Sequence, residues 1–243
     1  MNTHTLGAEN LIKRFGKKTV VNGASIEMKT GEIVGLLGPN GAGKTTIFYM
    51  IVGFLKPDRG RVFFDHHDIS KLPMYKRARL GISYLPQEAS VFRRLTVEEN
   101  IKAILEARGD LDKKEIEEKL TSLLDEMGIT HIKKQKAYTL SGGERRRTEI
   151  ARALAIEPNF LLLDEPFVGI DPIAVYEIKE IIKQLSRKNI GILITDHNAR
   201  DTLEITSRSY IIDKGTILVE GDSKYISEHS HVREIYLGKN FEL

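Results

Sequence analysis

The run Gly38-Pro39-Asn40-Gly41-Ala42-Gly43-Lys44-Thr45 keeps the spacing G-x-x-x-x-G-K-[ST], and it constrains the fold more than any other stretch of the chain. Ahead of it, Ile33-Val34-Gly35-Leu36-Leu37 reads as a buried strand; behind it, Thr46 to Gly53 reads as a helix. Strand, glycine-rich turn and helix in that order can wrap a polyphosphate. Glycines let the backbone come close, successive N–H groups point inward, and the positive end of the helix adds attraction. Lys44 would then bridge the β and γ phosphates of a nucleoside triphosphate, and the Thr45 hydroxyl would ligate Mg²⁺. A chance lysine in a glycine-rich turn would not need a strand and a helix on either side of it.

The 243 residues suffice for one large α/β domain or a domain with a substantial insertion. A formal charge of +3 is too small to imply a nucleic-acid partner. The absence of cysteine excludes a disulfide framework and a thiolate metal site, and suits a reducing compartment. Met1 to Asn10 has neither the basic start nor the apolar centre of a secretory leader, so none is expected. No apolar run approaches the ~18 residues of a spanning helix. Any membrane association is therefore expected to be indirect, through a partner.

Leu6 to Phe15 and Lys18 to Lys29 read as strands joined by a turn, Arg61 to Phe64 as a short strand, Pro73 to Arg79 as a basic helix, and Ile82 to Leu85 as a strand ending at Pro86-Gln87. From Thr96 to about Lys136 the chain becomes charged and amphipathic. Thr96 with Glu99, and Asp112 with Glu115, have capping-box spacing and predict two helix starts. In the second helix Ile116, Leu120, Leu123, Leu124 and Met127 form an apolar stripe that Gly128 closes, leaving Lys113, Lys114, Glu117 and Glu118 wet. A helix from Glu144 through Ala155 follows Ser141. Phe160 to Leu163 and Gly191 to Thr195 read as buried strands around a Pro172 to Arg187 helix. Tyr210 to Asp213 and Thr216 to Glu220 form a hairpin, and a polar C-terminal helix leads to Gly238. The strand and helix alternation predicts a parallel sheet with helices on its faces.

An acidic residue closing a buried strand beside a phosphate loop supplies the hard oxygen that Mg²⁺ needs. Asp164 meets that description, and Glu165 is placed to activate or orient a water toward the γ-phosphate. Ser141-Gly142-Gly143-Glu144 admits two readings that are compatible. It is a capping box, and its hydroxyl, bare amides and helix N-terminus also make an anion site.

At Leu140-Ser141-Gly142-Gly143-Glu144 the chain resembles the ATP-binding cassette family, whose signature is LSGGQ; the final Glu144 departs from the commonest form. The resemblance spans essentially the whole chain. It implies the fold of that family: a phosphate-loop α/β core with a parallel sheet, an N-terminal antiparallel β subdomain and an inserted α-helical subdomain. The core would be approximately residues 1–86 and 158–243, and the insert 87–157, within a single 1–243 domain. By resemblance the cofactors are ATP and Mg²⁺. Phe15 stacks on adenine, Gly38 to Thr46 cradle the phosphates, and Thr45, Gln87 and Asp164 serve the metal. Glu165, His197, Gln87 and Lys44 are catalytic, with His197 as the switch histidine. Ser141, Gly142 and Gly143 bind the nucleotide of a second subunit, and Gly169-Ile170-Asp171 stands where the family's aspartate loop crosses to that subunit.

Within the family the likeness is strongest to ATPases of lipopolysaccharide export. It is carried by Gly35 to Thr46, Tyr84 to Ser90, Phe92-Arg93-Arg94, Ser141 to Arg147, Ile194 to Asn198 and the tail Tyr236 to Leu243; branched-chain amino-acid importer ATPases are similar across the core. This implies a head-to-tail homodimer on the cytoplasmic face of the inner membrane. It would be coupled to integral membrane subunits near Gln87 to Arg94 and would not touch the transported lipid. Phe92 is either an apolar contact there or a packed loop aromatic. His66, His67, His229 and His231 lack companions at ligand spacing, so no transition-metal site is expected. Arg145-Arg146-Arg147 reads as a solvated or subunit-facing surface, not as a nucleic-acid platform.

Overall fold

The computed structural model describes residues 3–238 and 240–241. The chain begins with β1 (Thr5–Phe15) and β2 (Lys18–Lys29), an antiparallel pair that closes at Phe15 opposite Lys18. Period-two patterning sets β2's faces: Ala24, Ile26 and Met28 are buried while Ser25, Glu27 and Lys29 are exposed. Then come β3 (Ile33–Leu37), α1 (Lys44–Val52), β4 (Arg59–Phe64), β5 (His67–Asp68), α2 (Met74–Arg79) and β6 (Ile82–Leu85). Three helices follow: α3 (Val97–Arg108), α4 (Lys113–Glu126) and α5 (Gly142–Leu154). The remainder is β7 (Phe160–Asp164), α6 (Pro172–Arg187), β8 (Gly191–Thr195), α7 (Ala199–Leu203), β9 (Arg208–Asp213), β10 (Thr216–Gly221) and α8 (Ser223–Glu228).

Two sheets result. An antiparallel sheet has the order β2-β1-β4-β5, and a six-stranded sheet has the order β10-β9-β3-β8-β7-β6. In the second, β9-β3-β8-β7-β6 are parallel and only the β9-β10 hairpin is antiparallel. Strands β3, β7 and β8 are buried at every residue. This is why they read as unbroken apolar runs, since helices or the other sheet cover both faces. Parallel strands also bring the carboxyl ends of β3, β6, β7 and β8 to one rim, and the site lies there.

Both capping boxes form. Thr96 Oγ1 accepts from the Glu99 amide at 3.1 Å and Asp112 Oδ1 from the Glu115 amide at 2.9 Å, while each glutamate returns a bond to the cap's own N–H. Helix α4 buries Ile116, Leu120 and Leu124, with Met127 behind them and Leu123 half-buried. Each fully buried chain contributes roughly 2 kcal/mol. The helix stops because Gly128 turns left-handed (φ 64°), letting the Ile129 amide reach the Leu124 carbonyl and its own amide reach Asp125.

Three expectations need correction. The helix after Ser141 starts at Gly142, two residues before Glu144, because Ser141 itself is the cap. The C-terminal stretch is not one helix: α8 ends at Glu228, a three-residue turn covers Ser230–Val232, and Arg233–Leu237 is a single wide π-turn. His229 breaks the run by taking an extended conformation (ψ 113°) to cap the next turn. The third is Arg146, which is buried and not solvated. Of the tail, Lys239, Glu242 and Leu243 lie outside the described residues.

Candidate active site at the strand ends

The loop between β3 and α1 is shaped by positions that exclude side chains. Gly38 has φ 150°, and a Cβ there would lie 2.1 Å from the Ile212 carbonyl of β9; Gly43 has φ 112°, with the Val20 carbonyl of β2 3.0 Å from its Cβ position. The loop is thus pinned between β9 and β2, with a bond from the Gly215 amide to the Ala42 carbonyl. Phe15 is half exposed at the end of the β1-β2 hairpin whose second strand lines the loop, and Lys13 lies 5.7 Å from its ring. Lys44 is buried; its ammonium donates to the Gly38 and Pro39 carbonyls at 2.6 and 3.1 Å. Burial lowers its pKa, against attraction from Glu165, Asp196 and Asp164. Asn40, Gly41 and Thr45 face out, Thr46 is half-buried and Ala42 is buried.

At the end of β7, Asp164 sits opposite Thr195 of β8, and Thr195 Oγ1 donates to Asp164 Oδ1 at 2.7 Å. Tyr84 of β6 reaches the other oxygen at 3.5 Å. Burial raises the Asp164 pKa, a penalty that a nearby cation would relieve. Glu165 is left-handed (φ 46°), a costly state for a non-glycine residue, and its amide is held by the Thr195 carbonyl at 2.7 Å. That turn aims the side chain along the rim. Gln87 Nε2 donates to Glu165 Oε2 at 2.8 Å, and His197 Nδ1 lies 3.4 Å from the same oxygen. Two side chains leaving β6 and β8 therefore converge on the carboxylate that leaves β7. The Gln87 amide donates one N–H there, and its carbonyl oxygen is a hard donor of the kind a divalent cation takes.

Ser141, Gly142 and Gly143 do not join that cluster through any hydrogen bond among the described residues. Ser141 Oγ accepts from the Glu144 amide at 3.3 Å and Glu144 Oε2 from the Ser141 amide at 2.8 Å. The two glycines press on the 169–174 segment: Cβ atoms would meet the Gly169 carbonyl at 3.0 Å and Ala174 Cβ at 2.7 Å. Asp171 caps α6, accepting from the Ala174 amide at 3.0 Å.

Sequence reasoning missed the grip of α5 on the segment after Gln87. Arg146 is no solvated residue. It is 6 % exposed and donates to the carbonyls of Pro86, Asp164 and Pro166 and to Glu149. Glu149 accepts from the Ser90 amide at 2.6 Å, Arg152 donates to the Ser90 carbonyl at 2.6 Å, and the Arg152 guanidinium lies 4.5 Å from the centre of the Phe92 ring. Three consecutive arginines carry no mark of which one faces inward. Glu149, at i+3 from Arg146 and i+4 from Arg145, marked an ion-pair partner without choosing between the two.

A family model described as ABC transporter matches residues 21–168, which hold the phosphate loop, the signature turn and the Asp164-Glu165 pair. The chain belongs to the ABC transporter family. As an ABC ATPase it couples ATP hydrolysis to transport. The chain is 56% identical over 98% of its length to a "Probable ABC transporter ATP-binding protein" of Azorhizobium caulinodans, covering 85% of that protein. It is 52% identical to the "Lipopolysaccharide export system ATP-binding protein LptB" of Haemophilus influenzae and 51% to that of Escherichia coli K12, over 98% of this chain and 99% of each relative. Among solved structures it is similar to the ADP conformation of the cassette MJ1267, with a TM-score of 0.86, 30% identity, and coverage of 97% of this chain and 99% of that one. No helix among the described residues is long and apolar enough to cross a membrane.

Proposed function

We propose that this ABC ATPase powers lipopolysaccharide extraction from the inner membrane and its export toward the outer membrane. It works as a head-to-tail homodimer bound to a pair of LptF/LptG-like membrane subunits on the cytoplasmic face. The full-length likeness to two LptB proteins supports the transport role. The convergence of Gln87 and His197 on Glu165 supports the chemistry.

In this reading ATP stacks its base on Phe15 and lays its phosphates along Gly38 to Thr46, where backbone N–H groups and Lys44 balance their charge. Mg²⁺, held by Thr45, Asp164 and Gln87, would neutralise charge on the β and γ phosphates; these donors are the hard oxygens it prefers. Glu165 takes or orients the proton of the attacking water, and His197 steadies the γ-phosphate. Ser141, Gly142 and Gly143 of one subunit close over the nucleotide of the other, through an isologous contact. The lipid never meets this subunit.

Membrane subunits dock beside the Gln87 to Arg94 segment. Met74, Tyr84, Ile104 and Arg152 line a groove there, and exposed Phe92 lies at its edge on Arg152. Because α5 holds both Ser90 and Pro86, a push on this segment reaches Gln87 and α5 together. Phe92→Ala in the native complex should abolish lipid release from proteoliposomes while the isolated ATPase keeps its turnover. Equal loss of both would assign Phe92 to packing. Co-purification of the native complex tests the partners, and recovery of amino-acid importer subunits instead would refute the lipopolysaccharide role.

A further inference from the structure

Lys179 lies in the middle of α6 with its side chain only 7% exposed, an unusual fate for the most solvated of the basic side chains. Its ammonium is bidentate in effect, donating to Asp201 Oδ1 at 2.6 Å and to Glu204 Oε2 at 2.7 Å. Burial by itself would depress the Lys179 pKa, but the bonds to Asp201 and Glu204 prevail and hold it above the usual lysine value. Both acceptors belong to α7 or to the residue that caps it, and α7 starts two residues after His197.

Asp201 is shared. Its second oxygen, Oδ2, accepts from the Asn198 side-chain amide, and its own N–H is capped by Asn198 Oδ1 at 3.3 Å. The Asn198 backbone N–H donates to Asp196 Oδ1 at 2.8 Å. His197 therefore sits between two tethered residues, while its own ring makes only long contacts, 3.4 Å to Glu165 and 3.5 Å to Asp196, and is 59% exposed. A ring held this loosely takes its position from the backbone on either side. In front, that backbone is anchored by Thr195 on Asp164; behind, it is anchored through Asn198 and Asp201 on Lys179.

At its other end α6 is capped by Asp171, and its first turn touches the signature turn through Gly143 and Ala174. We infer that Lys179 is a positioning residue for hydrolysis, which fixes His197 to α6 so that the signature turn and the switch histidine of one subunit move as a unit. The inference rests on the assignment of His197 to the γ-phosphate. An ion pair kept only for stability explains the burial poorly, because replacing a buried pair by apolar groups is often neutral. Asp201 and Glu204 are also partly exposed, at 25% and 51% of their side chains, and can turn to water when Lys179 is removed.

The test uses the full chain in its native complex. Lys179→Met should lower kcat about tenfold, the scale of a modest misplacement of a catalytic group, with KM for ATP within about twofold. Lys179→Arg should recover most of that loss, and Asp201→Asn should reproduce it. In a His197→Ala background Lys179→Met should have no further effect on kcat. Equal falls in kcat in both backgrounds, an unchanged kcat for Lys179→Met, or a loss seen in KM instead would overturn the inference. If His197→Ala alone turned over normally, the histidine assignment would fail first and take the inference with it; an impaired His197→Ala beside a normal Lys179→Met would sink the inference alone.

Discussion

Glu165, Gln87 and His197 leave three neighbouring strands and meet inside one chain, whereas Ser141 to Gly143 spend their polar groups on their own helix turn. The difference is one of construction. Parallel strands deliver their carboxyl ends to a common rim whatever the sequence between them, so β6, β7 and β8 bring residues 78 and 110 positions apart together. The signature turn rides on α5, which is fixed to that rim from behind through Arg146 and the Pro86 and Pro166 carbonyls. A helix N-terminus satisfied only by its own cap still has amides to offer an anion. On the proposed function, one region is the catalytic cluster and the other a phosphate device presented to a second copy.

Each region can be disabled separately. Glu165→Gln should bind ATP and pair but turn over at least ~100-fold more slowly, the scale of losing one well-placed general base. Near-normal phosphate release in a steady-state assay would remove Glu165 from the chemistry. Ser141→Asp is the sharper probe. Aspartate caps a helix as well as serine does, so the thermal midpoint should hold within about 1 °C. Yet a negative charge facing the γ-phosphate should cut turnover ~10- to 100-fold, on the scale of losing one electrostatic donor. Equal losses of melting temperature and turnover would reduce the signature turn to a cap.

Arg146→Met tests how the two regions are joined. It leaves Glu149 buried without its partner, which costs about 3 kcal/mol or more, measurable by urea denaturation. Stability within error of the parent would show that the link from α5 to the rim is dispensable. The smallest effect belongs to the helical insert. Thr96→Ala removes one side of a capping box on α3 and should cost about 1 kcal/mol with turnover unchanged; reduced turnover would mean that the insert reports on the site more directly than its geometry suggests.

Much of this was legible because local chemistry and tertiary placement agree. The phosphate loop needs glycines that no side chain could replace, and Gly38 against Ile212 is the physical reason. The α3 and α4 starts were legible because a capping box uses only residues three apart. The fully buried strands announced themselves as unbroken apolar runs. What escaped were features that depend on residues far away in the chain. Arg146 faces inward because the Asp164, Pro166 and Pro86 carbonyls wait there, and nothing in its own triplet distinguishes it from Arg145. Helix α7 is only five residues long and holds its place through Lys179, 22 positions earlier. The tail, read as one helix, is broken by the extended backbone of His229, and its aromatic Tyr236 packs against the cluster of Leu37, Leu203, Ile211, Ile226 and Val232.

On the proposed function, each catalytic cluster is completed by the signature turn of another copy. This sharing is tested most directly by a mixed dimer of a Lys44→Ala subunit with a Ser141→Asp subunit. Both homodimers should be impaired, Lys44→Ala in binding or turnover and Ser141→Asp by ~10- to 100-fold in turnover, but the mixed pair should hold one intact site and turn over faster than either parent. If the mixed pair turns over no faster than the mean of the two homodimers, the two halves of the site belong to one chain and the shared site is refuted.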